Sequence, residues 1–193
     1  MHYEAVFDSS RTIYSQSREN IRRPDRCSFD CQGRLEAEQI RPILGKFSFD
    51  RVYSSDLSRA IDTQKIALPG VEGIQNPLLR EYDVGTLVGV GFEEAAAKYG
   101  NEFRRKRDYT PFGGENGQMV CQRARDFLQL LEENPCEYVA AFSHNGFLNS
   151  MLNVVLKSDF DHTAVGSKNC AIHVYEFDGV RWRLLAWNYM GTV

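Results

Sequence analysis

The sequence predicts an α/β fold built on a largely parallel sheet with an antiparallel edge. Three observations carry this. Short apolar runs alternate with segments of helical periodicity. The most apolar run, Tyr138 to Phe142, lies between two helical patterns, as a strand covered by helices does. The chain then ends in two alternating segments joined at Asp178-Gly179, which reads as a hairpin.

Tyr3 to Phe7 is a buried strand ending at Asp8, followed by a polar, arginine-rich loop from about Ser9 to Asp30. Leu35, Ile40, Ile43 and Leu44 recur near helical spacing, and Pro42 should kink or end that helix early. Asp50 to Tyr53 is a second strand. Asp56 to Ala67 is a helix whose start is marked by the capping types Ser54, Ser55 and Asp56. Phe92 to Tyr99 is helical, and Phe103 to Gly117 reads as a charged, Gly-rich loop. Met119, Val120, Ala124, Phe127, Leu128 and Leu131 form the apolar face of a helix that stops near Pro135. A helix over Phe147 to Leu156 follows the central strand, and the hairpin pairs Ala171 to Phe177 with Arg181 to Leu185.

The 193 residues suit one domain, with a formal charge of −3, 42% hydrophobic and 25% charged residues. Disordered, collagen-like and coiled-coil chains are excluded. The mild acidity argues against a dedicated nucleic-acid binder. No apolar stretch reaches the roughly 20 residues of a membrane span, and the start lacks a signal-peptide pattern. Five scattered cysteines suit reduced thiols in a cytoplasmic protein. Cys27 and Cys31 have no partner pair at zinc-site spacing, so neither a metal nor another cofactor is expected.

Ligands of open α/β sheets sit beyond the carboxyl ends of the strands. The first strand runs into Asp8-Ser9-Ser10-Arg11, the second into Ser54-Ser55-Asp56 with Arg59 one turn on, and the third into Ser143-His144-Asn145-Gly146. If these strands are neighbours, Arg59 and His144 share an anion pocket with the first loop. Each residue also has an ordinary reading. Arg59 could be a surface arginine, His144 a core histidine, and Glu81 an ion-pair partner of Arg80. Glu115 reads as a brace for the Gly-Gly turn. His162 falls in a loop and His173 on a strand face.

The segments Tyr53-Ser54-Ser55-Asp56-Leu57-Ser58-Arg59-Ala60 with Thr63, Leu79 to Gly85, Pro111-Phe112-Gly113-Gly114-Glu115-Asn116 and Ser143-His144-Asn145-Gly146 follow one another in a telling order. With the Phe177-Asp178-Gly179 hairpin, they resemble the motifs of the histidine phosphatase superfamily, phosphoglycerate-mutase-like branch. The resemblance implies a three-layer α/β/α sandwich over residues 1–193, with a lid region at about 86–117. It implies that Arg59 holds a phosphate oxygen, that His144 donates to the phosphoryl group, and that Glu81 protonates the leaving oxygen.

The departure is at the first strand. The family's Arg-His-Gly, whose histidine is the nucleophile, is matched by Asp8-Ser9-Ser10. Losing such a nucleophile costs on the order of 10⁴ to 10⁶ in kcat. Exchanging an arginine for an acid near a phosphate removes an attraction of about 4 kcal/mol before solvent discounts it. Three functional readings remain open. One is a degenerate phosphatase that binds a phosphorylated small molecule or phosphoprotein. Another is an active phosphomonoesterase using Ser9 or Ser10 with His144 as base, or Asp8 as an acyl phosphate. The third is an interaction module with a vestigial pocket. Arg11, Arg18, Arg22, Arg23 and Arg26 crowd the altered loop. They read first as a solvated loop, and otherwise as a source, through Arg11, of the missing cation. Arg104 to Arg107 reads as one face of a lid helix over an acidic ligand. No membrane partner is expected, and a homodimer is left open.

Overall fold

The computed structural model describes residues 3–9 as backbone, and residues 31–159 and 165–190. The arginine-rich loop with Arg11, and also His2 and His162, lie outside the described residues.

Six strands form one sheet: β1 (Tyr3–Ser9), β2 (Arg51–Ser54), β3 (Ile74–Gln75), β4 (Tyr138–Ser143), β5 (Ile172–Phe177) and β6 (Trp182–Tyr189). Their spatial order is β3-β2-β4-β1-β5-β6. The first four are mutually parallel, and β5 and β6 close the edge antiparallel. The most apolar strand, β4, takes the centre, flanked by β1 and β2. Its side chains alternate strictly. Val139 and Ala141 enter one core, and Ala140 and Phe142 the other.

Helices cover both faces. On one lie α1 (Cys31–Leu44) and α2 (Ser58–Ala67), with Ala37, Ile40, Leu44 and Ala67 packed on Val52, Phe142 and Ile172. The other face carries α5 (Gly117–Glu133) and α6 (Asn145–Leu156), with the shorter α3 (Phe92–Tyr99) and α4 (Glu102–Lys106) in the same core. The ring of Tyr53 on β2 meets Phe127 on α5 edge-on at 5.5 Å, which ties sheet to helix. This is the predicted three-layer α/β/α sandwich.

Four local expectations are corrected. Pro42 neither ends nor shortens α1, because it occupies the last turn on an exposed side. Helix α2 begins at Ser58, with Leu57 at its N-cap and no side-chain cap. Met119 is 48% exposed and lies off the core face of α5, whereas Val120, Ala124, Phe127, Leu128 and Leu131 are buried. The segment read as a loop from Phe103 to Gly117 contains α4 and a 3₁₀ turn, Thr110–Phe112. No helix among the described residues is long and apolar enough to cross a membrane.

Candidate functional site

The three strands that run into suggestive residues are adjacent, and their carboxyl ends are level. Ser9 of β1 pairs with Ser143 of β4, and Ser54 of β2 pairs with Phe142. The ladder continues one residue further, where Ser55 N donates to the Phe142 carbonyl at 2.8 Å. His144 therefore emerges beside Ser55 on one side, one residue past the Ser143–Ser9 pair on the other.

His144 is 1% exposed, and both ring nitrogens have protein partners. Arg59 Nε donates to Nδ1 at 3.1 Å. A guanidinium has no acceptor capacity, so Nδ1 must be the acceptor. The neutral ring then carries its proton on Nε2 and donates it to Ser55 Oγ at 2.9 Å. The main chain of His144 also opens α6, accepting from Leu148 N at 2.9 Å. His144 is thus the N-cap residue of α6 through its main chain alone, and its ring is buried with both nitrogens satisfied. Arg59 sits in the first turn of α2, half-buried, with its backbone carbonyl bonded by Thr63 Oγ1 at 2.8 Å.

The Ser54, Ser55 and Asp56 side chains expected to cap α2 point elsewhere. Ser55 Oγ serves His144 and accepts from Leu57 N at 3.3 Å. Asp56 forms a two-pronged pair with Arg80, one arm at 2.7 Å, which holds its carboxyl below the usual carboxylate range.

That pairing frees Glu81 from its neighbour. Glu81 Oε1 accepts from Tyr82 N at 3.0 Å, and Oε2 accepts from Gly146 N at 3.1 Å. The carboxylate thus rests on the N-terminus of α6, two residues from His144. The reading of Glu81 as a partner of Arg80 is set aside. Ser143 Oγ donates to Leu79 O at 2.7 Å, fastening the same segment to the end of β4.

Beyond Glu81 lies an aromatic wall. Tyr82 meets Tyr109 edge-on at 6.1 Å, and burial pushes both phenols up. The Arg107 guanidinium stands 5.3 Å from the Tyr82 ring centre. Arg107 terminates α4 in the left-handed conformation, with φ 46°. Its Nη1 is buried, with no hydrogen-bond partner among the described residues. Arg104, Arg105 and Lys106 are exposed instead. The basic run thus divides into three outward cations and one folded back toward Tyr82.

Glu115 braces the Gly-Gly turn as expected. Its Oε2 accepts from Asp83 N at 2.9 Å, and its own N–H donates to Asp83 O at 2.8 Å. Two partners lie outside the expected site residues: Ser55, which bonds the histidine, and Arg123, which pairs with Glu115. Arg123 had a signal, since it is a charge inside the apolar register of Val120, Ala124 and Phe127. His173 lies on β5, its ring centre 3.8 Å from that of Trp187 and tilted 44° to it. A cleft of about 640 Å³ runs between α5, α6 and the β5–β6 hairpin, lined by Arg125, Lys157 and Trp182 among others. It lies at the opposite end of the sheet and includes none of Arg59, Glu81 or His144.

Arg59, His144 and Glu81 are therefore brought to one end of the sheet. Comparison with known proteins places the fold in a family. The chain is 32% identical over 162 residues to a 2,3-bisphosphoglycerate-dependent phosphoglycerate mutase of Parvibaculum lavamentivorans, covering 76% of this chain and 77% of that one. It is 30% identical over 166 residues to a metal-independent phosphoserine phosphatase of Arabidopsis thaliana, covering 81% and 68%. Among solved structures, a Bacillus stearothermophilus protein superposes with a TM-score of 0.84 at 20% identity, covering 97% of each chain. A mycobacterial glucosyl-3-phosphoglycerate phosphatase gives 0.80 at 24% identity, covering 97% of this chain and 98% of that one. Both are likenesses of fold. The model of the histidine phosphatase superfamily, branch 1, matches residues 16–190, so Asp8-Ser9-Ser10 lies ahead of the matched segment. With the sandwich, the strand order and this match in agreement, the chain belongs to the histidine phosphatase superfamily, branch 1.

Proposed function

We propose that this protein binds a phosphorylated acidic ligand at the carboxyl end of β4 and turns it over slowly or not at all. The observation that carries the reading is the contact of Arg59 with His144, the residue that follows Ser143, Ser9's partner in the sheet. The family's nucleophile would stand at Ser9, whose backbone pairs with Ser143, the residue before His144. The phosphate would take Arg59, together with the Nε2 proton now given to Ser55. Glu81 stands by to protonate a leaving oxygen, a step of little use without a nucleophile to drive it.

The ligand class follows from charge. Arg107 folds back over Tyr82 with a buried, unpartnered nitrogen, a second cation suited to a carboxylate or second phosphate. The compounds named for the mutase and phosphatase relatives, 2,3-bisphosphoglycerate and phosphoserine, are small phosphate esters that also carry a carboxylate. The region 86–117 then acts as the lid. A cytoplasmic setting, and a phosphoprotein as alternative ligand, belong to the same reading. The runner-up, a serine nucleophile with His144 as base, is disfavoured by the ring itself. Its Nδ1 lone pair is spent on Arg59, and Nε2 already carries a proton.

The test is a pair of measurements. Inorganic phosphate is titrated by calorimetry, and 4-nitrophenyl phosphate is offered as substrate. Binding with negligible turnover supports the reading. Turnover abolished by Ser9→Ala would replace it with the serine mechanism, and no binding would leave a vestigial pocket. Restoring the triplet with Asp8→Arg, Ser9→His and Ser10→Gly together should create turnover.

A further inference from the structure

We propose that Arg123 is a positioning residue for Glu81. This rests on the reading of Glu81 as the acid for the leaving group. Arg123 is a helix residue whose side chain is 17% exposed, and it spends its guanidinium on the acid's own loop. Nη1 donates to the carbonyls of Leu78 at 2.7 Å and Arg80 at 2.9 Å, and Nη2 reaches the carbonyl of Glu81 at 3.4 Å. Nε and Nη2 each hold one oxygen of Glu115 at 2.8 Å. Glu115 in turn holds Asp83 N. One partly buried ion pair therefore fixes main-chain groups at residues 78, 80, 81 and 83, on both sides of the acid.

The clamp matters because Glu81 has a narrow seat. Its two oxygens rest on Tyr82 N and Gly146 N. A planar fork can reach three carbonyls and a carboxylate at once, and an ammonium cannot. Without Arg123 those carbonyls and Glu115 are left to solvate themselves, and the loop loses its fixed distance to α6. Glu81 would then sit out of line with a leaving oxygen, although phosphate binding at Arg59 and His144 would persist. A displacement of about 1 Å suffices to cost on the order of 100-fold.

The experiment uses the triplet-restored protein. There, the ester P–O bond breaks as the introduced imidazole takes the phosphoryl group. The proton of Glu81 passes to the leaving oxygen, and water later cleaves the N–P bond and returns a proton to Glu81. Nitrophenolate leaves without help, whereas the alkoxide of glycerol 2-phosphate needs the proton. Arg123→Gln should lower kcat for glycerol 2-phosphate by roughly 100-fold, the scale of a general-acid contribution, and for 4-nitrophenyl phosphate by far less. KM should be unchanged. Arg123→Lys should fold and leave the difference between the two esters in place. Equal losses on both esters would mean a merely structural role and overturn the proposal.

A second readout is independent of turnover. In the native sequence, Arg123→Gln should shift the amide resonances of Tyr82 and Gly146 and speed their hydrogen exchange relative to Ala141 of β4. Unmoved amides overturn the clamp. If Arg123→Gln fails to fold, Glu115→Gln loosens the same clamp and is read the same way. A restored protein that gives no turnover, with amides that do respond, overturns the reading of a site lacking only its nucleophile and leaves the clamp standing.

Discussion

Gly146 and Glu81 touch so closely that the contact admits no side chain between them. A Cβ built on Gly146 would lie 2.1 Å from Glu81 Oε1 and 2.8 Å from Tyr82 Cδ2. The requirement at this glycine is space, because the carboxylate sits directly over the first turn of α6. Gly146→Ala must push Glu81 off the N-terminus and break its bond to the Gly146 amide. Overpacking of this kind costs about 1 to 3 kcal/mol. Urea unfolding should report a loss in that range, with the slope against denaturant unchanged. A variant as stable as the parent would mean that Glu81 has another seat.

Arg59 and His144 make the second prediction. Arg59→Ala removes the cation and also the donor that fixes the ring's tautomer. Charge-assisted hydrogen bonds are worth about 1.5 to 3 kcal/mol. Phosphate affinity measured by calorimetry should therefore fall by roughly 10- to 100-fold, each tenfold being about 1.4 kcal/mol. Ring nitrogen shifts of His144 should also show Nδ1 released. Undiminished binding would place the anion elsewhere.

The parts of this fold that obey one local rule are the parts the sequence reveals. The run at Tyr138 became the central strand because its alternate residues feed two cores. The apolar spacing of Val120, Ala124, Phe127 and Leu131 defined the buried face of α5. Motif order brought Arg59, Glu81 and His144 to one end of the sheet. Features decided by distant partners stayed hidden. Ser55 and Asp56 are good capping types, but His144 and Arg80 lie 89 and 24 residues away and claim them, so α2 starts uncapped. Glu81 follows Arg80 in sequence yet binds α6, because Asp56 has already taken the guanidinium. The division of Arg104 to Arg107 depends on one left-handed residue, which no periodicity announces.

Tyr82 separates hydroxyl from ring. Its OH shares a buried hydrogen bond with Ser150 Oγ at 2.9 Å, while its ring carries Arg107 and meets Tyr109. Ser150 Oγ keeps a second partner, the Gly146 carbonyl at 3.1 Å. Tyr82→Phe should therefore cost only about 1 kcal/mol. Tyr82→Ala removes the platform under Arg107 as well, and should cost about 3 to 5 kcal/mol. Thermal and urea unfolding of the two variants distinguish these values. Equal losses would show that the ring contributes nothing beyond the hydroxyl.

His173 gives the protein an acid sensitivity of its own. The ring is fully buried on β5, where Nδ1 accepts from Asn188 N at 3.2 Å. The proton therefore sits on Nε2, 3.1 Å from Ser167 Oγ. Burial lowers its pKa from 6.5 to about 3. Between those two values the unfolded chain binds a proton that the folded chain refuses. Folding stability from this group is thus complete above about pH 6.5. It declines as pH falls toward 3, by as much as about 1.4 kcal/mol per unit. His173→Gln keeps a polar side chain and cannot titrate. It should be less stable than the parent at pH 7, having lost the ring contact with Trp187. Its urea midpoint should then fall less steeply between pH 6 and 4, so that the two stability curves converge. Parallel curves across that range would mean that His173 accepts its proton in the folded protein as readily as in the unfolded chain.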